Sequence, residues 1–462
     1  MLLRSFQTSG NKAVAGLSWL PGRCFSISSS SVLDAAAKDG KLNVFIVSGE
    51  VSGDAIGSRL MASLKKLSPL PIRFSGVGGS MMCKEGLEPL FPMEDISVMG
   101  LWELLPHLNK FRVRLKETVD AAVQFRPHCV VTVDSKGFSF RFLKQLRARN
   151  AGEGSPVHFH YVAPSFWAWK GGEARLKGLI EFVDHVFCIL PNEAAVCQHN
   201  GLPATFVGHP VLEDLLELNS GKQSSLCEWK IQGNPDNFRS RFGVSSGADV
   251  ISLLPGSRLQ EVTRMLPIFR VAVNKLKHSL LDLLTVIHVA PNQDVEDFIG
   301  RILHEWPAPV VLVPGGDPVL KYDAFSASKV ALCTSGTVAV ELQLARLPCA
   351  VAYRAHILTE WFIRYKAKIP YISLPNILMD APVIPESLFQ SCTPTNLAGL
   401  LGELMVSNER RQEQIVIAEK VLRLLFPSEI VGKPLGGGDG EMNFPHCTPS
   451  LVAASTILSH GK

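Results

Sequence analysis

Two polar segments in the first half of the chain carry side chains that group-transfer chemistry requires. The apolar run VFIVSG leads into Glu50, Ser52 and Asp54, and the run CVVTVD ends in Asp134. If these runs are parallel strands, the polar groups lie at the carboxyl ends of the strands, where doubly wound sheets bind substrates. A carboxylate in that place can act as a general base. A structural tight turn at the first segment and a helix cap at Asp134 are the alternatives.

Two strand ends in the second half have groups suited to a phosphorylated ligand. The candidates are Gly256, Ser257 and Arg258 in one segment and Ser335, Gly336 and Thr337 in the other, with Glu341 one helical turn further on. The planar guanidinium of Arg258 suits a diphosphate, and free N–H groups at a helix start suit an anion. Glu341 is placed to accept ribose hydroxyls. Ser335 also has the residue type of a plain helix cap, a role that is compatible with ligand binding.

An amphipathic stretch near residue 100 is a candidate contact for lipid. Its apolar stripe includes Met99, Leu101, Trp102 and Leu105, and basic residues follow closely. Such a stretch suits a membrane surface or an acyl chain. The alternative is an ordinary helix that packs its apolar stripe on the core and leaves its charges in solvent.

The composition and motifs exclude several classes of protein. The chain has 462 residues, 46% of them hydrophobic, with 46 Lys+Arg against 42 Asp+Glu, so it is neither wholly disordered nor strongly basic like a nucleic-acid-binding protein. The glycine-rich segments match neither a P-loop nor a complete dinucleotide fingerprint. His and Cys residues do not cluster at the spacing of metal ligands, so we predict no metal site.

Strand-sized apolar runs alternate with longer helical stretches, which is typical of parallel sheets with crossover helices. The predicted strands lie at 44–49, 129–134, 157–163 and 185–190 in a first series and at 250–256, 283–290, 308–315, 330–336 and 347–354 in a second. The pattern predicts an α/β protein with two facing doubly wound, Rossmann-like domains and a cleft between them.

The composition also suggests the limits of the domains. We expect a transit peptide at 1–40, a first domain at 41–212, a linker or insertion at 213–247, a second domain at 248–390, helices at 391–426 that pack back on the first domain, and a flexible tail at 427–462. The first 33 residues contain Arg4, Lys12, Arg23 and eight serines but no acidic residue. This composition favours mitochondrial import, with plastid import as second choice and a disordered arm as the alternative.

Seven segments together resemble lipid-A-disaccharide synthases over about residues 42–425. They are SGEVSGD (48–54), VMGLWELL (98–105), HYVAPSFWAWK (160–170), FVGHPVLE (206–213), LLPGSRLQEV (253–262), TSGTVAVE (334–341) and YISLPN (371–376). The resemblance implies a GT-B glycosyltransferase without a cofactor, peripheral to a membrane. Its implied reaction joins UDP-2,3-diacylglucosamine to 2,3-diacylglucosamine 1-phosphate and releases UDP.

The resemblance also implies roles for individual residues. It makes Asp134 the catalytic base and marks Glu50, Ser52 and Asp54 as further important positions. On the UDP side it implies Arg258 for the phosphates, Glu341 for the nucleoside, the helix start at 335–337, and Asn376. The stripe near residue 100 corresponds to a region that meets lipid.

One loop departs from the family pattern. Where the family usually has Asp-Ser/Ala-Pro-Asp-Phe-Asn, this chain has Asp134-Ser135-Lys136-Gly137-Phe138-Ser139. Only the first Asp of the two is kept, so two alternatives stay open: a catalytically degenerate relative that binds a UDP-sugar or lipid, and an enzyme like a UDP-N-acetylglucosamine epimerase.

Overall fold

Two six-stranded sheets, both wholly parallel, form the framework of the molecule. The computed structural model describes residues 31–97, 101–150, 155–218, 230–355, 357–427 and 448–461, and gives the backbone only for 101–108, 357–359 and 362. The first sheet contains β1 (Leu42–Ser48), β2 (Ile72–Val77), β3 (Cys129–Val133), β4 (Val157–Tyr161), β5 (His185–Cys188) and β6 (Ala204–Phe206). The second contains β7 (Asp249–Leu254), β8 (Leu283–His288), β9 (Val310–Val313), β10 (Val330–Cys333), β11 (Cys349–Tyr353) and β12 (Glu386–Leu388).

Helices connect the strands and cover the sheets. In chain order they are α1 (Val32–Asp39), α2 (Val51–Leu67), α3 (Ser80–Lys84), α4 (Leu101–Phe125), α5 (Lys136–Arg149), α6 (Gly172–Leu179), α7 (Pro191–His199), α8 (Val211–Leu218), α9 (Pro235–Phe242), α10 (Leu259–Lys277), α11 (Gln293–Leu303), α12 (Pro318–Ala327), α13 (Val338–Leu344), α14 (Ile357–Lys366), α15 (Leu374–Met379), α16 (Pro394–Val406), α17 (Asn408–Leu424) and α18 (Pro449–Ser459). In the part of the chain that the structure describes, no helix has the length and apolarity to cross a bilayer.

The first sheet has the strand order β2-β1-β3-β4-β5-β6. Every residue of β1, β3, β4 and β5 is buried, as expected for strands that helices cover on both faces. The order reverses direction between β1 and β3, so the connections that leave these two strands diverge and open a crevice. Glu50 and Asp134 follow the two strands at this point.

The second sheet has the order β12-β11-β10-β7-β8-β9, and its direction reverses between β7 and β10. Segments 255–258 and 334–337 follow these two strands. Each sheet therefore carries two of the predicted polar segments at its own reversal point. The arrangement confirms the predicted pair of doubly wound domains. Three strands lie outside the nine predicted runs: β2, and β6 and β12, which have only three residues each.

The two halves are joined by backbone contacts as well as by the chain itself. Lys170 N donates to Lys366 O at 2.8 Å, and Lys368 N donates to Ala168 O at 2.8 Å, so the loop after β4 pairs with the end of α14. At a second place, His209 N donates to Leu425 O at 3.1 Å. These contacts join the first domain to the second at two separate places.

The predicted domain limits are wrong at both ends of the described chain, where helices belong to the folded first domain. Residues 1–30 lie outside the described residues, but α1 belongs to the folded domain, because Val32 N donates to His460 O at 2.9 Å. The segment expected to be a flexible tail contains α18, which packs on α2 through Ala453, Ala454 and Ile457. The glycine-rich stretch before α18 dominated the sequence pattern, and α18 depends on tertiary packing that this pattern does not show.

The expected linker and the predicted packing of the C-terminal helices also need correction. Phe238 of α9 is fully buried beside α12, so residues 230–247 belong to the second domain and not to a linker. Leu397, Leu401 and Leu404 of α16 pack in the core of the second sheet, and α17 contacts α13 and α15. Helices α16 and α17 therefore mainly cover the second domain, and the end of the segment, at Leu425, contacts the first domain through His209, while α18 returns to the first domain.

Candidate active site in the crevice between the two sheets

Glu50 lies between β1 and α2 and connects the two domains. Its Oε2 accepts a hydrogen bond of 3.0 Å from Arg258 Nη2. Burial raises the pKa of Glu50 above its ordinary value, the nearby negative charge of Asp134 raises it further, and Arg258 opposes both effects. Glu50 thus lies close to the other two charged groups that the sequence singled out. The reversal points of the two sheets face each other across this crevice.

Asp134 is the first residue after β3 and begins a sharp turn into α5. Its N–H donates to Tyr161 O at 2.9 Å, and its carbonyl accepts a hydrogen bond of 2.8 Å from Ser139 Oγ. The cap position of α5 is Ser135, and no side chain caps this helix start. Among the described residues, none donates a hydrogen bond to the Asp134 carboxylate. The backbone of Asp134 is therefore held firmly while its carboxylate stays available to a ligand.

The backbone at this edge of the sheet adopts an unusual conformation. Asp134 and Ser135 have φ values of +48° and +46°, and Val162, which follows the neighbouring β4, has a φ of +73°. The left-handed region is uncommon for residues other than glycine and is a true outlier for a β-branched side chain. Such strain concentrates at functional sites, where the surrounding fold enforces it. The strained turns mark the end of β3 and β4 as a candidate site.

Ser52 and Asp54 occupy different environments from Glu50. Ser52 is exposed in the first turn of α2. Asp54 is only 4% exposed, and its carboxylate accepts hydrogen bonds from the backbone N–H groups of Gly79, Met81 and Met82 at 2.8 to 3.0 Å. This corrects the expectation that Asp54 contacts a ligand, because its carboxylate holds the first turn of α3.

Replacement of Asp54 is expected to reduce stability. Asp54→Ala removes the buried acceptor of three backbone N–H groups, of which that of Met82 is itself buried. Because each bond to a charged group contributes about 1.5–3 kcal/mol and the donors are left unpaired, we expect a loss of about 3 kcal/mol. Urea unfolding followed by circular dichroism measures the change, with Ser52→Ala as the exposed control. Equal midpoints for the two variants would refute the assigned role.

The segment after β7 presents a cation at the start of a long helix. Arg258 is the cap residue of α10, and its side chain is 43% exposed beside Glu50 and Glu261. Ser257 N donates to Glu261 Oε2 at 3.3 Å, and Gly256 has a φ of +124°, which side-chain-bearing residues rarely adopt. Exposed ion pairs contribute at most about 1 kcal/mol, so an incoming diphosphate can replace Glu50 as the partner of Arg258 at little cost.

The segment after β10 is the second loop of this domain that the sequence predicts to bind an anion. Gly336 has a φ of +137°, and no atom lies within 4 Å of the place where its Cβ would be. The cap residue of α13 is Thr337, and Ser335 Oγ instead donates to Ile372 O at 3.1 Å. Ser335 is therefore not a plain helix cap. Its hydroxyl ties this loop to the segment that contains Asn376.

Glu341 and Asn376 differ in how accessible their polar atoms are. Glu341 Oε2 accepts a hydrogen bond of 3.1 Å from Lys321 Nζ of α12. Asn376 is 1% exposed, donates to Ile384 O and Glu386 Oε1 at 2.8 Å, and accepts from Ile384 N at 2.8 Å. This corrects the expectation of a nucleotide contact for Asn376, whose amide is fully used in holding the loop. Glu341 keeps a partly exposed carboxylate for a ligand.

Three residues near the site were not singled out as ligands from the sequence. Glu386 anchors the loop of Asn376, since it accepts hydrogen bonds from Ile372 N, Ser373 N and Ser373 Oγ. Lys321 is the partner of Glu341. Glu193 of α7 accepts a hydrogen bond of 3.1 Å from Trp167 Nε1, and burial raises its pKa to about 7. The partners Trp167, Glu341 and Ser373 are distant in the chain from these charges, so the sequence alone did not mark them.

The candidate lipid contacts near residue 100 are outside what the structure describes. Met99 and the side chains of Leu101, Trp102 and Leu105 belong to this group. In the described part of α4, Phe111 and Leu115 pack in the core, and Lys110 and Arg114 form ion pairs with Asp95. The described half of α4 is thus a core-facing helix in which the basic side chains of Lys110 and Arg114 are paired. Among the described residues, no group of three or more His, Cys, Asp or Glu side chains is arranged to hold a metal ion.

Solved structures of other proteins share this fold. UDP-GlcNAc 2-epimerase from Neisseria meningitidis, bound to UDP-GlcNAc, has a TM-score of 0.54 at 13% identity and covers 83% of this chain and 99% of its own. The structure of S. aureus MnaA with UDP has a TM-score of 0.53 at 14% identity, over 84% of this chain and 94% of its own. At these identities the likeness shows the fold alone, which is two facing Rossmann-like domains of the GT-B type.

Other proteins are much more similar to this chain in sequence than these solved structures are. The family described as lipid-A-disaccharide synthetase matches residues 44–430. A probable mitochondrial lipid-A-disaccharide synthase of Arabidopsis thaliana is 61% identical over 469 residues, or 99% of this chain and 99% of that protein. Lipid-A-disaccharide synthase of Rhodospirillum centenum is 40% identical over 389 residues, or 84% of this chain and 91% of that protein. The chain therefore belongs to the lipid-A-disaccharide synthase family.

Proposed function

We propose that this chain is an inverting glycosyltransferase that joins UDP-2,3-diacylglucosamine to 2,3-diacylglucosamine 1-phosphate, giving the β-1,6-linked disaccharide 1-phosphate and UDP. Beyond family membership, one observation carries the proposal. The available carboxylate of Asp134 lies at the reversal point of one sheet, beside Glu50, and Glu50 is hydrogen-bonded to Arg258 at the reversal point of the other sheet. A base and a phosphate-binding cation thus face one crevice.

The second domain is proposed to hold the UDP part of the donor. Arg258 and the backbone N–H groups of Gly256 and Ser257 bind the diphosphate, and the loop 335–337 supplies further N–H groups. Glu341 accepts hydrogen bonds from the ribose hydroxyls. The Neisseria meningitidis enzyme of the same fold carries UDP-GlcNAc, which supports a UDP-sugar as the ligand of this architecture.

The first domain is proposed to hold the acceptor and to take its proton. The acceptor's 6-hydroxyl oxygen attacks the anomeric carbon of the donor while Asp134 accepts the hydroxyl proton. The bond between the anomeric carbon and the UDP oxygen breaks, and UDP leaves with the bonding pair. Arg258 and the loop N–H groups stabilise the charge on UDP. Attack from the face opposite UDP converts the α-linked donor into a β-linked product.

The altered loop after Asp134 keeps the features that this mechanism needs. Ser139 Oγ bonds to the carbonyl of Asp134, and the N–H groups of Phe138 and Ser139 donate to Ser135 O at 3.0 and 2.9 Å. These bonds hold the strained turn although its sequence differs from the usual pattern. The degenerate alternative is therefore not favoured, and the names of the relatives do not favour the epimerase alternative.

A transfer assay with radiolabelled acceptor tests the proposal. Protein lacking residues 1–30 receives both acylated substrates with EDTA, and separate samples receive UDP-N-acetylglucosamine. We expect a labelled disaccharide in the presence of EDTA, because Arg258 and loop N–H groups supply the positive charge for the leaving UDP. UDP binding without disaccharide would support the degenerate alternative, and epimerisation of UDP-N-acetylglucosamine would support the epimerase.

The proposed location is the mitochondrion, at the surface of the inner membrane. The predicted transit peptide and the mitochondrial name of the Arabidopsis thaliana relative, which matches 99% of this chain, support import.

Exposed aromatic side chains on α14 support contact with a membrane surface. Trp361 and Tyr365 are 69% and 60% exposed, and their rings stack on each other with centroids 5.8 Å apart. The ammonium groups of Lys170 and Lys366 lie 5.6 and 5.5 Å from the Tyr365 ring. Exposed aromatic side chains flanked by lysines suit an anionic membrane surface.

Membrane association is expected to depend on these two aromatic side chains. In fractionated plant or yeast cells that express the chain, we expect the wild type in the mitochondrial membrane fraction and released by high salt. The double substitution Trp361→Ser, Tyr365→Ser should lower the membrane-bound fraction by about tenfold, because it removes interfacial apolar area. Val406→Ser, Val416→Ser changes two residues that are 82% and 62% exposed elsewhere and serves as the control. Recovery with plastids, or equal binding of both variants, would contradict this assignment.

A further inference from the structure

Lys136 is a cation beside the proposed base that the mechanism above does not use. It is the first residue of α5 and directly follows the strained turn of Asp134 and Ser135. In the loop pattern of the family, this position usually has proline. The Lys136 side chain is partly buried, and among the described residues none forms a hydrogen bond or an ion pair with its ammonium group. A partly buried ammonium without a hydrogen-bonded partner loses hydration that no direct contact replaces.

Packing between neighbouring turns places Lys136 at the crevice. Strands β1 and β3 are paired in parallel with Ser48 opposite Val133, so the turns that follow them lie side by side. A Cβ on Gly49 would be 2.6 Å from Ser135 Oγ, which means that the two turns are in direct contact. A side chain at position 49 would require the Ser135 side chain to shift. The start of α5 is thereby held against the turn that carries Glu50.

Three titratable groups are affected by the positive charge of Lys136. Its positive charge opposes the upward shifts in the pKa of Glu50 and of Glu193 and contributes to the lowered pKa of His160. These groups lie on three different elements, at the start of α2, on α7 and on β4. The ammonium is therefore close enough to these groups to affect their pKa values, and its helix α5 starts at the carboxyl end of β3. It is on the acceptor side of the crevice, whereas Arg258 is on the donor side.

We propose that Lys136 binds the phosphate group of the acceptor sugar and selects acceptors that carry it. This inference rests on the proposed function and adds the residue that recognises the acceptor phosphate. With the acceptor's 6-hydroxyl at Asp134, Lys136 is two residues further along the chain and is the nearest cation in sequence for the 1-phosphate of the same sugar. The phosphate then supplies the charge-assisted hydrogen bonds that the ammonium lacks.

Two acceptors that differ only in this phosphate test the proposal. Initial rates are measured with 2,3-diacylglucosamine 1-phosphate and with 2,3-diacylglucosamine, for the wild type, Lys136→Met and Lys136→Arg. We expect Lys136→Met to raise KM for the phosphorylated acceptor by about 10–100-fold, as loss of a charged hydrogen bond does. KM for the unphosphorylated acceptor and for the donor should change less than twofold, and Lys136→Arg should retain most of the selectivity. Lys144→Met, in the same helix and exposed, is the control.

The possible results distinguish a failure of this proposal from a failure of the proposed function. Calorimetric titration of both acceptors into the protein gives the same comparison without turnover, so it remains decisive if no disaccharide forms. Equal loss with both acceptors would show that Lys136 acts only on the structure of the loop, and an unchanged KM would show that it does not bind the phosphate. Either result overturns the inference while leaving the transferase proposal in place. Thermal unfolding of each variant shows whether the fold is intact.

Discussion

Asp134→Asn is expected to reduce kcat for disaccharide formation by about 10²–10⁴-fold, the range lost when a general base is removed. The amide cannot take the proton of the attacking hydroxyl. Asparagine is one of the residues that adopt the left-handed region most readily, so it preserves the backbone at a φ of +48°. We therefore expect the thermal unfolding temperature and the KM for the donor to stay near the wild-type values. Stopped radiolabel assays at saturating substrate measure kcat.

A matched control is available in the same chain. Asp380 also has a φ of +48° and follows α15 in the second domain. Asp380→Asn tests the effect of the same chemical change in the same backbone conformation and should keep kcat within about twofold. A kcat for Asp134→Asn close to that of Asp380→Asn would exclude Asp134 as the base and direct attention to Glu50, its carboxylate neighbour.

Arg258→Met is expected to lower kcat/KM by about 10²–10³-fold, the loss seen when a group that stabilises charge in the transition state is removed. UDP affinity should fall as well, because the diphosphate loses its cation. The ion pair with Glu50 is partly exposed, so its loss should change the free energy of unfolding by no more than about 1 kcal/mol. Steady-state kinetics and UDP calorimetry measure the two effects.

Two further variants provide comparisons for the effect of Arg258→Met. Arg258→Lys keeps the charge but not the planar fork, and we expect it to recover only part of the activity. Arg270→Met removes an arginine on the same helix whose partner is Glu305, away from the crevice, and should have no effect on UDP affinity. Unchanged UDP affinity in Arg258→Met would place the diphosphate elsewhere in the second domain.

The sequence predicted the framework of the fold because long apolar runs identify buried parallel strands. All nine predicted runs are strands, and the segments with Glu50, Asp134, Arg258 and Ser335 follow four of them. The rule that doubly wound sheets bind ligands at the carboxyl ends of their strands also selected these segments. The short strands β6 and β12 have too few residues for a recognisable pattern.

The roles of buried polar residues were not predictable in the same way. Asp54 and Asn376 have residue types that suit ligands, but backbone groups of α3 and of Ile384 use their polar atoms. Glu193 and Glu386 look like surface charges in the sequence, and only tertiary packing buries the first and gives the second its loop partners. Helix α18 was missed for a related reason, since its small side chains become stabilising only against α2.

A crystal structure of the Asp134→Asn variant with UDP-2,3-diacylglucosamine and 2,3-diacylglucosamine 1-phosphate tests the central claim most directly. The claim is that a base on the first sheet and a diphosphate site on the second meet at one reaction centre. We predict the diphosphate against Arg258 and the 335–337 loop, and the acceptor's 6-hydroxyl within hydrogen-bond distance of the side chain at position 134. A diphosphate remote from Arg258, or a 6-hydroxyl oriented toward another carboxylate, would contradict the account.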